Sequence, residues 1–522
     1  MKKRLMMVLL LLAAVLAGLT AQAVGENQGA TAVSIETQAK PKYVFMFIGD
    51  GMSHVQINAA QILKGSNEKG NLSLKPLTFT EFPVVGLQTT FDATSFCPDS
   101  ASTATSLSSG YKTHSGTIGL GIDKQMVGKT IAEQVKQQKG WKVGLVSTVT
   151  LNHATPAAYY AHVPSRNSYY DIGVQMVASG FDYFGGGAIS KPDDGGRKSI
   201  YNLLLEAGYL VTDSKSQILN LTSASGKVYA QNPRLQDSGS MPYAMDMNEN
   251  DVSLAQFVQK GIDVLNNPEG FFMMVESGKI DWACHANDAA AEIYDLLAFD
   301  QAIAVALDFA KAHPEETLIV VTGDHETGGM TIGYAGTGYN TALDILYNQK
   351  LSYVAFDEKF SKLQQANPTM GFNQALALVE ADFGLVAPGK STANKALVLS
   401  DLEYAKLEAA FKQAMLPAKQ RDGSDQAYLL YGGYNPFSVT LTHILNNKAG
   451  IGWTSYSHTG TPVGVYAYGS GSELFSAILQ SQRRAAIVGE TTCGCLLAFL
   501  GYAPIPGGGK LAYSEVGFVF SD

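Results

Sequence analysis

Short apolar runs that lead directly into polar residues constrain the fold of this chain more than any other feature. Uninterrupted runs of this kind are typical of strands that are buried on both faces of a parallel sheet. Helix-like stretches separate them, for example 130–138 and 289–313. The alternation predicts an α/β three-layer sandwich with a mainly parallel central sheet. The runs occupy residues 43–48, 142–149, 271–275 and 318–321.

The residues that follow these runs carry metal-binding or hydroxyl side chains. Open α/β sheets bind ligands at the carboxyl ends of their strands. We therefore expect these side chains to meet at one edge of the sheet and to form the functional site. In chain order they are Asp50, His153, Thr155, Glu276, Asp324 and His325.

Residues 1–23 have the pattern of a secretory signal peptide. Basic residues at 2–4 precede an apolar run at 5–19, and the segment ends in A-Q-A at 21–23. The alternative is an uncleaved membrane anchor, but the run is short for a span of about 20 residues. No later stretch is apolar enough to cross a bilayer. A cleaved signal predicts a periplasmic or secreted protein.

The charge of the chain excludes one class of partner. Its 522 residues carry a formal net charge of −9, and removal of the three basic leader residues leaves −12. Overall charge therefore attracts neither nucleic acid nor an anionic membrane, and no nucleic-acid binding is expected. Positive charge for an anionic substrate must come locally, from metal ions or a few basic side chains.

The four cysteines do not indicate a disulfide framework. Cys493 and Cys495 are too close together to pair comfortably, and a core of this size does not need disulfides. We expect the cysteines to be mostly free. A bridge between Cys97 and Cys284 stays open, because both lie near candidate site residues.

Residues 326–457 differ in character from the segments around them. They contain helix-like pieces such as 401–415, which ends before Pro417, and Gly-rich aromatic loops. We interpret this segment as a large crown-like insertion, which would act as a lid or a subunit contact. The catalytic core would then consist of residues 24–325 and 458–522.

Aspartate and histidine recur together among the candidate ligands. Asp281 and His285 are four residues apart, so a helix would present both on one face. Asp324 and His325 form a similar pair at a strand end. With His458, these mixed carboxylate and imidazole ligands suit zinc.

An oxygen-only set is also present. Asp50, Thr155 and Glu276 would offer carboxylate and hydroxyl oxygens, which suit magnesium. Taken singly, each acidic residue could be a solvated surface residue or a helix cap. Their joint placement at the ends of predicted strands favours metal binding.

Ser100 is the candidate nucleophile. Pro98 and Asp99 are typical of a helix start, so Ser100 is expected at a helix N-terminus, where unpaired N–H groups favour a bound oxyanion. The alternative is that Asp99 or Ser100 only caps the helix. No G-x-S-x-G turn or Ser-His-Asp spacing is present to activate this serine. A metal ion could activate it instead.

Six segments together resemble the alkaline phosphatases, and they occur in order between about residues 42 and 476. The resemblance implies hydrolysis of small phosphate monoesters by a metal-dependent enzyme. It also implies a homodimer in which the crown insertions meet. The segments are GDGM at 49–52, DSASTAT at 99–105, HATPAAYYAHVPSR at 153–166, VESGKIDWACH at 275–285, VTGDHETGG at 321–329 and SHTGTPVGVYAYG at 457–469.

The resemblance also implies a role for each matching position. Ser100 would be the nucleophile that becomes phosphoserine, and Arg166 would clamp two phosphate oxygens with its planar fork. Two zinc ions and one magnesium ion are implied, with Asp50 shared between two sites. The implied ligands are Asp281, His285 and His458 for the first zinc, Asp50, Asp324 and His325 for the second, and Asp50, Thr155 and Glu276 for magnesium.

Three positions depart from the usual family pattern. Cys97 stands where Ile or Val is usual, which leaves the chemistry unchanged. His153 stands where relatives have Asp or His, and Trp282 where others have Lys or His; together they resemble the cold-active marine bacterial members. Because imidazole suits zinc better than magnesium, His153 makes zinc an alternative ion at the magnesium site. Because Trp282 is uncharged, we expect weak inhibition by inorganic phosphate, which Trp282→Lys would strengthen.

Other functions match only part of the pattern. A sulfatase needs a C/S-x-P-x-R motif, which is absent around Cys97. A phosphodiesterase of the same superfamily usually lacks the magnesium set and the arginine clamp. A metal-binding protein that has lost catalysis would be expected to lack the nucleophile, a ligand or the arginine. The sequence therefore favours a phosphomonoesterase.

Overall fold

The apolar runs form the central strands of one nine-stranded sheet. The computed structural model describes residues 40–126 and 128–476; the predicted signal peptide, Cys493 and Cys495 lie outside the described residues. The strands within them are β1 (Tyr43–Gly49), β2 (Val84–Gln88), β3 (Lys142–Ser147), β4 (Tyr183–Gly186), β5 (Tyr209–Thr212), β6 (Lys227–Gln231), β7 (Phe271–Ser277), β8 (Thr317–Gly323), β9 (Glu326–Thr327), β10 (Thr331–Ile332), β11 (Ile451–Gly452), β12 (His458–Thr459) and β13 (Val463–Gly469).

The large sheet is parallel except at one strand. Its order is β2-β13-β8-β1-β7-β3-β4-β6-β5, and β13 runs antiparallel to both of its neighbours. The four runs predicted as strands are adjacent members β8, β1, β7 and β3, so the prediction of a mainly parallel sheet is confirmed. In the register, Ile48 lies beside Glu276 on one side and Thr322 on the other. The strands therefore end together at one edge.

Helices of four to 24 residues connect the strands. In the described part of the chain, no helix has both the length and the apolar composition needed to cross a bilayer. The helices are α1 (His54–Lys64), α2 (Ser100–Ser109), α3 (Ile131–Lys139), α4 (Ala154–Ala157), α5 (Tyr169–Ser179), α6 (Ile200–Glu206), α7 (Lys215–Leu219), α8 (Leu254–Leu265), α9 (Lys279–His285), α10 (Ala289–Ala312), α11 (Tyr353–Ala366), α12 (Phe372–Phe383), α13 (Asp401–Met415), α14 (Asp425–Tyr431) and α15 (Pro436–Ala449).

Helical segments cover both faces of the sheet. Neighbouring residues of a strand point to opposite faces. The ring of Phe271 packs against Phe309 of α10, with centroids 5.6 Å apart, whereas Phe272 packs against Tyr159, which follows α4, at 6.0 Å. Strands β1, β7 and β8 are buried along their whole length. The predicted three-layer arrangement is confirmed.

The predicted insertion contains helices α11–α15. Helix α13 has the bounds that the sequence predicted; Ser400 caps it, and Leu407 and Phe411 are among its buried residues. The insertion packs onto α1 where the Tyr347 hydroxyl donates a hydrogen bond of 2.6 Å to the Leu63 carbonyl oxygen. Its boundaries at 326 and 457 stay a prediction.

Cys97 and Cys284 do not form the bridge that the sequence left open. Both are free. Cys97 is exposed, whereas Cys284 is buried in α9. The Cys284 sulfur faces the interior, 4.0 Å from the Gln56 amide nitrogen. The two thiols therefore lie in different surroundings although both are close to site residues in sequence.

Candidate active site

The residues at the strand ends meet in one buried cluster. Three groups of side chains offer ligand atoms that lie within 4.8 Å of one another. All of their members were candidates from the sequence, and His325 and Asp50 each belong to two groups. The groups are Asp281, His325 and His458; Asp50, Asp324 and His325; and Asp50, His153 and Glu276.

Gly51 allows the end of β1 to approach α9 closely. Its φ of +74° lies in the left-handed region, which glycine adopts without strain. A Cβ at this position would lie 2.9 Å from Asp281 Cα. The Gly51 N–H also donates a hydrogen bond of 3.2 Å to Asp324 Oδ1. The GDGM turn therefore holds Asp50, Asp281 and Asp324 together.

Helix α9 and strand β12 bring Asp281, His285 and His458 together. His285 Nε2 lies 3.4 Å from Asp281 Oδ2 and 3.1 Å from His458 Nε2. His458 Nε2 lies 3.5 Å from Asp281 Oδ1. The Nδ1 atoms contact main-chain oxygens, that of Tyr456 for His285 and that of Pro98 for His458, each at 2.6 Å. These contacts orient both rings with Nε2 toward the group.

Several oxygens of the cluster are buried without a hydrogen-bond partner. Among the described residues, no hydrogen bond reaches either Asp50 oxygen, Thr155 Oγ1 or Glu276 Oε1, although His325 Nε2 lies 3.3 Å from Asp50 Oδ1. The other Glu276 oxygen accepts a hydrogen bond from Ser147 Oγ. Buried oxygens without partners are destabilising unless a cation or a proton compensates them. Asp50, Thr155 and Glu276 therefore fit a hard cation such as magnesium.

Burial and mutual repulsion disfavour the charged forms of these carboxyl groups. Burial, followed by the charges of Asp324 and Asp281, raises the pKa of Asp50 well above its usual range. Burial raises the pKa values of Glu276 and Asp324 to about 7. The pKa of Asp281 is lowered although burial opposes this, because His285 and other histidines lie near. Divalent cations would relieve the repulsion between the carboxylates.

Ser100 is the first residue of α2, as the sequence predicted. Asp99 caps this helix, since its Oδ1 accepts a hydrogen bond of 3.0 Å from the Ser102 N–H. The buried Ser100 Oγ lies 3.2 Å from His325 Nε2. The hydroxyl therefore lies at the positive end of a helix and beside a residue that two candidate metal groups share.

Arg166 contacts both the start of α2 and the group of Asp50, His153 and Glu276. Its Nη1 donates a hydrogen bond of 2.9 Å to Asp99 Oδ2, and its Nη2 lies 3.2 Å from His153 Nε2. Burial, followed by the Arg166 charge, lowers the pKa of His153 to about 3, so His153 is neutral and can accept a hydrogen bond from Arg166. Trp282 contacts His153 edge-on, with ring centroids 5.9 Å apart. Arg166, Asp99 and Trp282 therefore lie next to His153 or to the start of α2, and the roles of the predicted site residues stay predictions.

Thr327 is a member of the site that the sequence pattern did not single out. Its Oγ1 donates a hydrogen bond of 2.5 Å to Asp281 Oδ1 and lies 3.3 Å from His325 Nδ1. Thr327 belongs to the VTGDHETGG segment, but its spacing did not distinguish it. Its place is set by the pairing of β9 with β12, which puts Thr327 opposite His458.

A further buried polar cluster beside α9 was also missed. Lys279 Nζ lies 3.1 Å from Ser240 Oγ and 3.4 Å from Asp237 Oδ2. The ammonium group lies over the rings of Tyr243 and Trp282, 3.7 and 4.7 Å from their centroids. We call Lys279, Asp237, Ser240 and Tyr243 the lysine cluster.

Curated alkaline phosphatases resemble this chain along most of its length. A family model described as alkaline phosphatase matches residues 41–493. Alkaline phosphatase 3 of Bacillus subtilis (strain 168) is 33% identical over 451 residues, which cover 84% of this chain and 86% of the relative. Alkaline phosphatase 4 of the same organism is 29% identical over 471 residues, which cover 87% and 89%.

Solved structures of the same family have a similar fold. The cold-active alkaline phosphatase from the psychrophile Shewanella sp. matches with a TM-score of 0.70 and 25% identity, over 88% of this chain and 99% of that one. The alkaline phosphatase of Thermus thermophilus matches with a TM-score of 0.66 and 22% identity, over 91% and 100%. Because the family model spans most of the sequence, the resemblance is confirmed, and the chain belongs to the alkaline phosphatase family.

Proposed function

We propose that this protein is a secreted alkaline phosphatase that hydrolyses phosphate monoesters through a phosphoserine intermediate on Ser100. Membership of the family supports a phosphatase hydrolase. The observation that carries the mechanism is the position of Ser100 Oγ, at the start of α2 and 3.2 Å from His325 Nε2. A hydroxyl there can attack a phosphoryl group that the surrounding charges hold.

The residues present fit two zinc ions and one magnesium ion. When bound, such ions stabilise negative charge on the attacking and leaving oxygens of a phosphoryl transfer. His153, which belongs to the third group, leaves zinc as an alternative to magnesium there. The first zinc would be held by Asp281, His285 and His458, the second by Asp50, Asp324 and His325, and magnesium by Asp50, Thr155 and Glu276.

Arg166 and α2 would hold the phosphoryl group for attack by Ser100. The ion pair with Asp99 keeps the guanidinium beside the start of the helix, where its planar fork can donate to two phosphate oxygens. Ser100 Oγ forms a bond to phosphorus as the ester oxygen leaves as the alcohol. Water then hydrolyses the phosphoserine and releases inorganic phosphate. Two in-line displacements predict net retention of configuration at phosphorus.

We also infer a periplasmic or secreted homodimer. The location rests on the signal-like residues 1–23, and the dimer rests on the insertion at 326–457. Light scattering on a variant without the insertion tests the second inference. A deletion variant that stays dimeric would show that this segment does not hold the subunits together.

The hydrolysis of p-nitrophenyl phosphate at alkaline pH by Ser100→Ala tests the mechanism. Removal of a nucleophile lowers the rate by about a thousandfold or more. Ser109→Ala is the matched control, because Ser109 lies at the other end of α2, where its hydroxyl donates to the Thr105 carbonyl oxygen and accepts from the Tyr111 N–H. Metal content is measured on the same samples, with two zinc ions and one further ion expected per chain.

The other outcomes separate the alternatives. A rate near that of the wild type in Ser100→Ala would mean that water attacks the ester directly, and the phosphoserine mechanism would be wrong. Faster hydrolysis of bis(p-nitrophenyl) phosphate than of the monoester would favour a phosphodiesterase. A metal-loaded wild type that hydrolyses neither ester would favour a metal-binding protein that has lost catalysis.

A further inference from the structure

A row of histidines leads from Ser100 to an aromatic surface. Ser100 Oγ lies 3.2 Å from His325 Nε2, and the His325 and His458 rings stack with centroids 3.6 Å apart. His285 Nε2 lies 3.1 Å from His458 Nε2, and His285 Nδ1 contacts the main-chain oxygen of Tyr456. Tyr456 therefore lies at the end of this row that is farthest from Ser100.

This arrangement determines which side chains can meet the alcohol part of a substrate. An in-line displacement places the leaving group opposite the attacking oxygen. If Ser100 attacks, the organic group would extend from phosphorus toward the end of the histidine row that is opposite Ser100, where His285 and Tyr456 lie. The residues at that end contact the part of the ester that differs between substrates.

The Tyr456 ring is held in place by the insertion. Its hydroxyl donates a hydrogen bond of 2.7 Å to the Leu430 carbonyl oxygen. The backbone at Gly432 packs directly on the ring, because a Cβ there would lie 2.2 Å from Tyr456 Cγ. The Tyr434 ring lies beside it, with centroids 6.3 Å apart. The two tyrosines therefore form one fixed aromatic surface.

Trp282 lies close to His285 along α9. It precedes His285 by three residues on α9, so the two side chains lie on one face of the helix. Tyr434 and Trp282 pack against one cluster of buried residues, in which Tyr434 contacts the Tyr353 ring with centroids 5.7 Å apart, and both side chains are only partly buried. Burial, followed by the Asp281 charge, raises the pKa of Tyr434, which agrees with a position near the site.

We propose that Trp282, Tyr434 and Tyr456 form a subsite for the organic leaving group, and that it favours aromatic and apolar phosphate monoesters over small polar ones. The charged residues hold the phosphoryl end, whereas ring faces offer stacking and edge contacts to an apolar group. This inference rests on the proposed phosphatase function and adds the substrate class.

The ratio of kcat/KM for 1-naphthyl phosphate to that for glycerol 2-phosphate tests the subsite. Tyr434→Ala is expected to lower this ratio about threefold to tenfold, the equivalent of one lost aromatic contact. Tyr434→Phe keeps the ring and should leave the ratio unchanged. Tyr339→Ala is the matched control, because Tyr339 is a fully exposed tyrosine elsewhere in the insertion. Any misfolded fraction cancels in the ratio, and the intrinsic reactivity of the two esters cancels when the ratio of the variant is compared with that of the wild type.

Competition by phosphonates gives a readout that does not depend on turnover of the competing ligand. Phenylphosphonate should compete more strongly than methylphosphonate against labelled phosphate, and Tyr434→Ala should reduce this preference by a similar factor. An unchanged ratio in Tyr434→Ala, with both esters affected equally, would overturn the subsite. If the wild type hydrolyses neither ester, the proposed function is wrong instead, and the phosphonate preference still decides whether the subsite exists.

Discussion

Two polar clusters that include residues of α9 differ in how their charges are compensated. In the lysine cluster, the Lys279 ammonium lies 3.4 Å from Asp237 Oδ2 and over two aromatic rings, so the chain supplies its own cation. At the strand ends, Asp50 and Glu276 keep buried oxygens without hydrogen-bond partners among the described residues. The comparison teaches that buried carboxylates without enough positive partners in the chain are candidate ligands for cations from solution.

Removal of metal ions is expected to have the largest effect. After treatment with a chelator, hydrolysis of p-nitrophenyl phosphate should fall about a thousandfold, because bound ions contribute several kcal/mol of charge stabilisation in the transition state. Zinc with magnesium should restore the activity, and calcium serves as the control. If elemental analysis shows the protein to be metal-free and it is still fully active, the strand-end carboxylates do not need cations from solution.

Loss of the Lys279 ammonium is expected to lower the stability of the fold rather than the rate of hydrolysis. Lys279→Met should lower the free energy of unfolding by about 3 kcal/mol, because it removes a buried ammonium that compensates the buried Asp295 and the partly exposed Asp237. Denaturant unfolding should give the same loss with and without zinc and magnesium. The control is Lys311→Met, at an exposed pair with Asp308, where the change should be within about 0.5 kcal/mol. If zinc and magnesium restored the stability of Lys279→Met, the distinction between the two clusters would be wrong.

Glu276→Gln is expected to have the smallest effect, and its sign should depend on metal. The native pKa of Glu276 is raised to about 7, from 4.5, so its charged form destabilises the fold at neutral pH. In metal-free protein the substitution should raise the free energy of unfolding by about 1–3 kcal/mol at pH 8. This gain in the free energy of unfolding should be absent at a pH below 4.5, the usual pKa of the glutamate, and should grow as the pH rises from there to about 7.

Ser147→Ala controls for the hydrogen bond to Glu276 and should not stabilise the metal-free protein. In metal-loaded protein, Glu276→Gln should be destabilising, because it weakens the ion's binding and therefore the linked stabilisation. Denaturant unfolding across this pH range checks both signs. Destabilisation by Glu276→Gln in the metal-free protein would mean that this carboxylate needs no cation.

The sequence was most informative where one local pattern determined the outcome. The uninterrupted runs predicted four strands, which the structure places side by side. The spacing of Asp281 and His285 predicted one helical face, because strand and helix periods are local properties. Contacts between distant segments were not predictable in this way. Lys279 meets Ser240, which is 39 residues away in sequence, and Thr327 reaches Asp281 only through the pairing of β9 with β12.

If His285 and His458 hold the proposed zinc ion, their main-chain contacts also affect how fast it can be bound. Each ring is held at Nδ1 by a carbonyl oxygen, at 2.6 Å, from a segment far from it in sequence. Folding therefore restricts the rotation of both imidazoles before any ion arrives, and little side-chain entropy is left to lose on binding. Ion capture by these two ligands should then be limited by the release of water from the ion rather than by rearrangement of the protein.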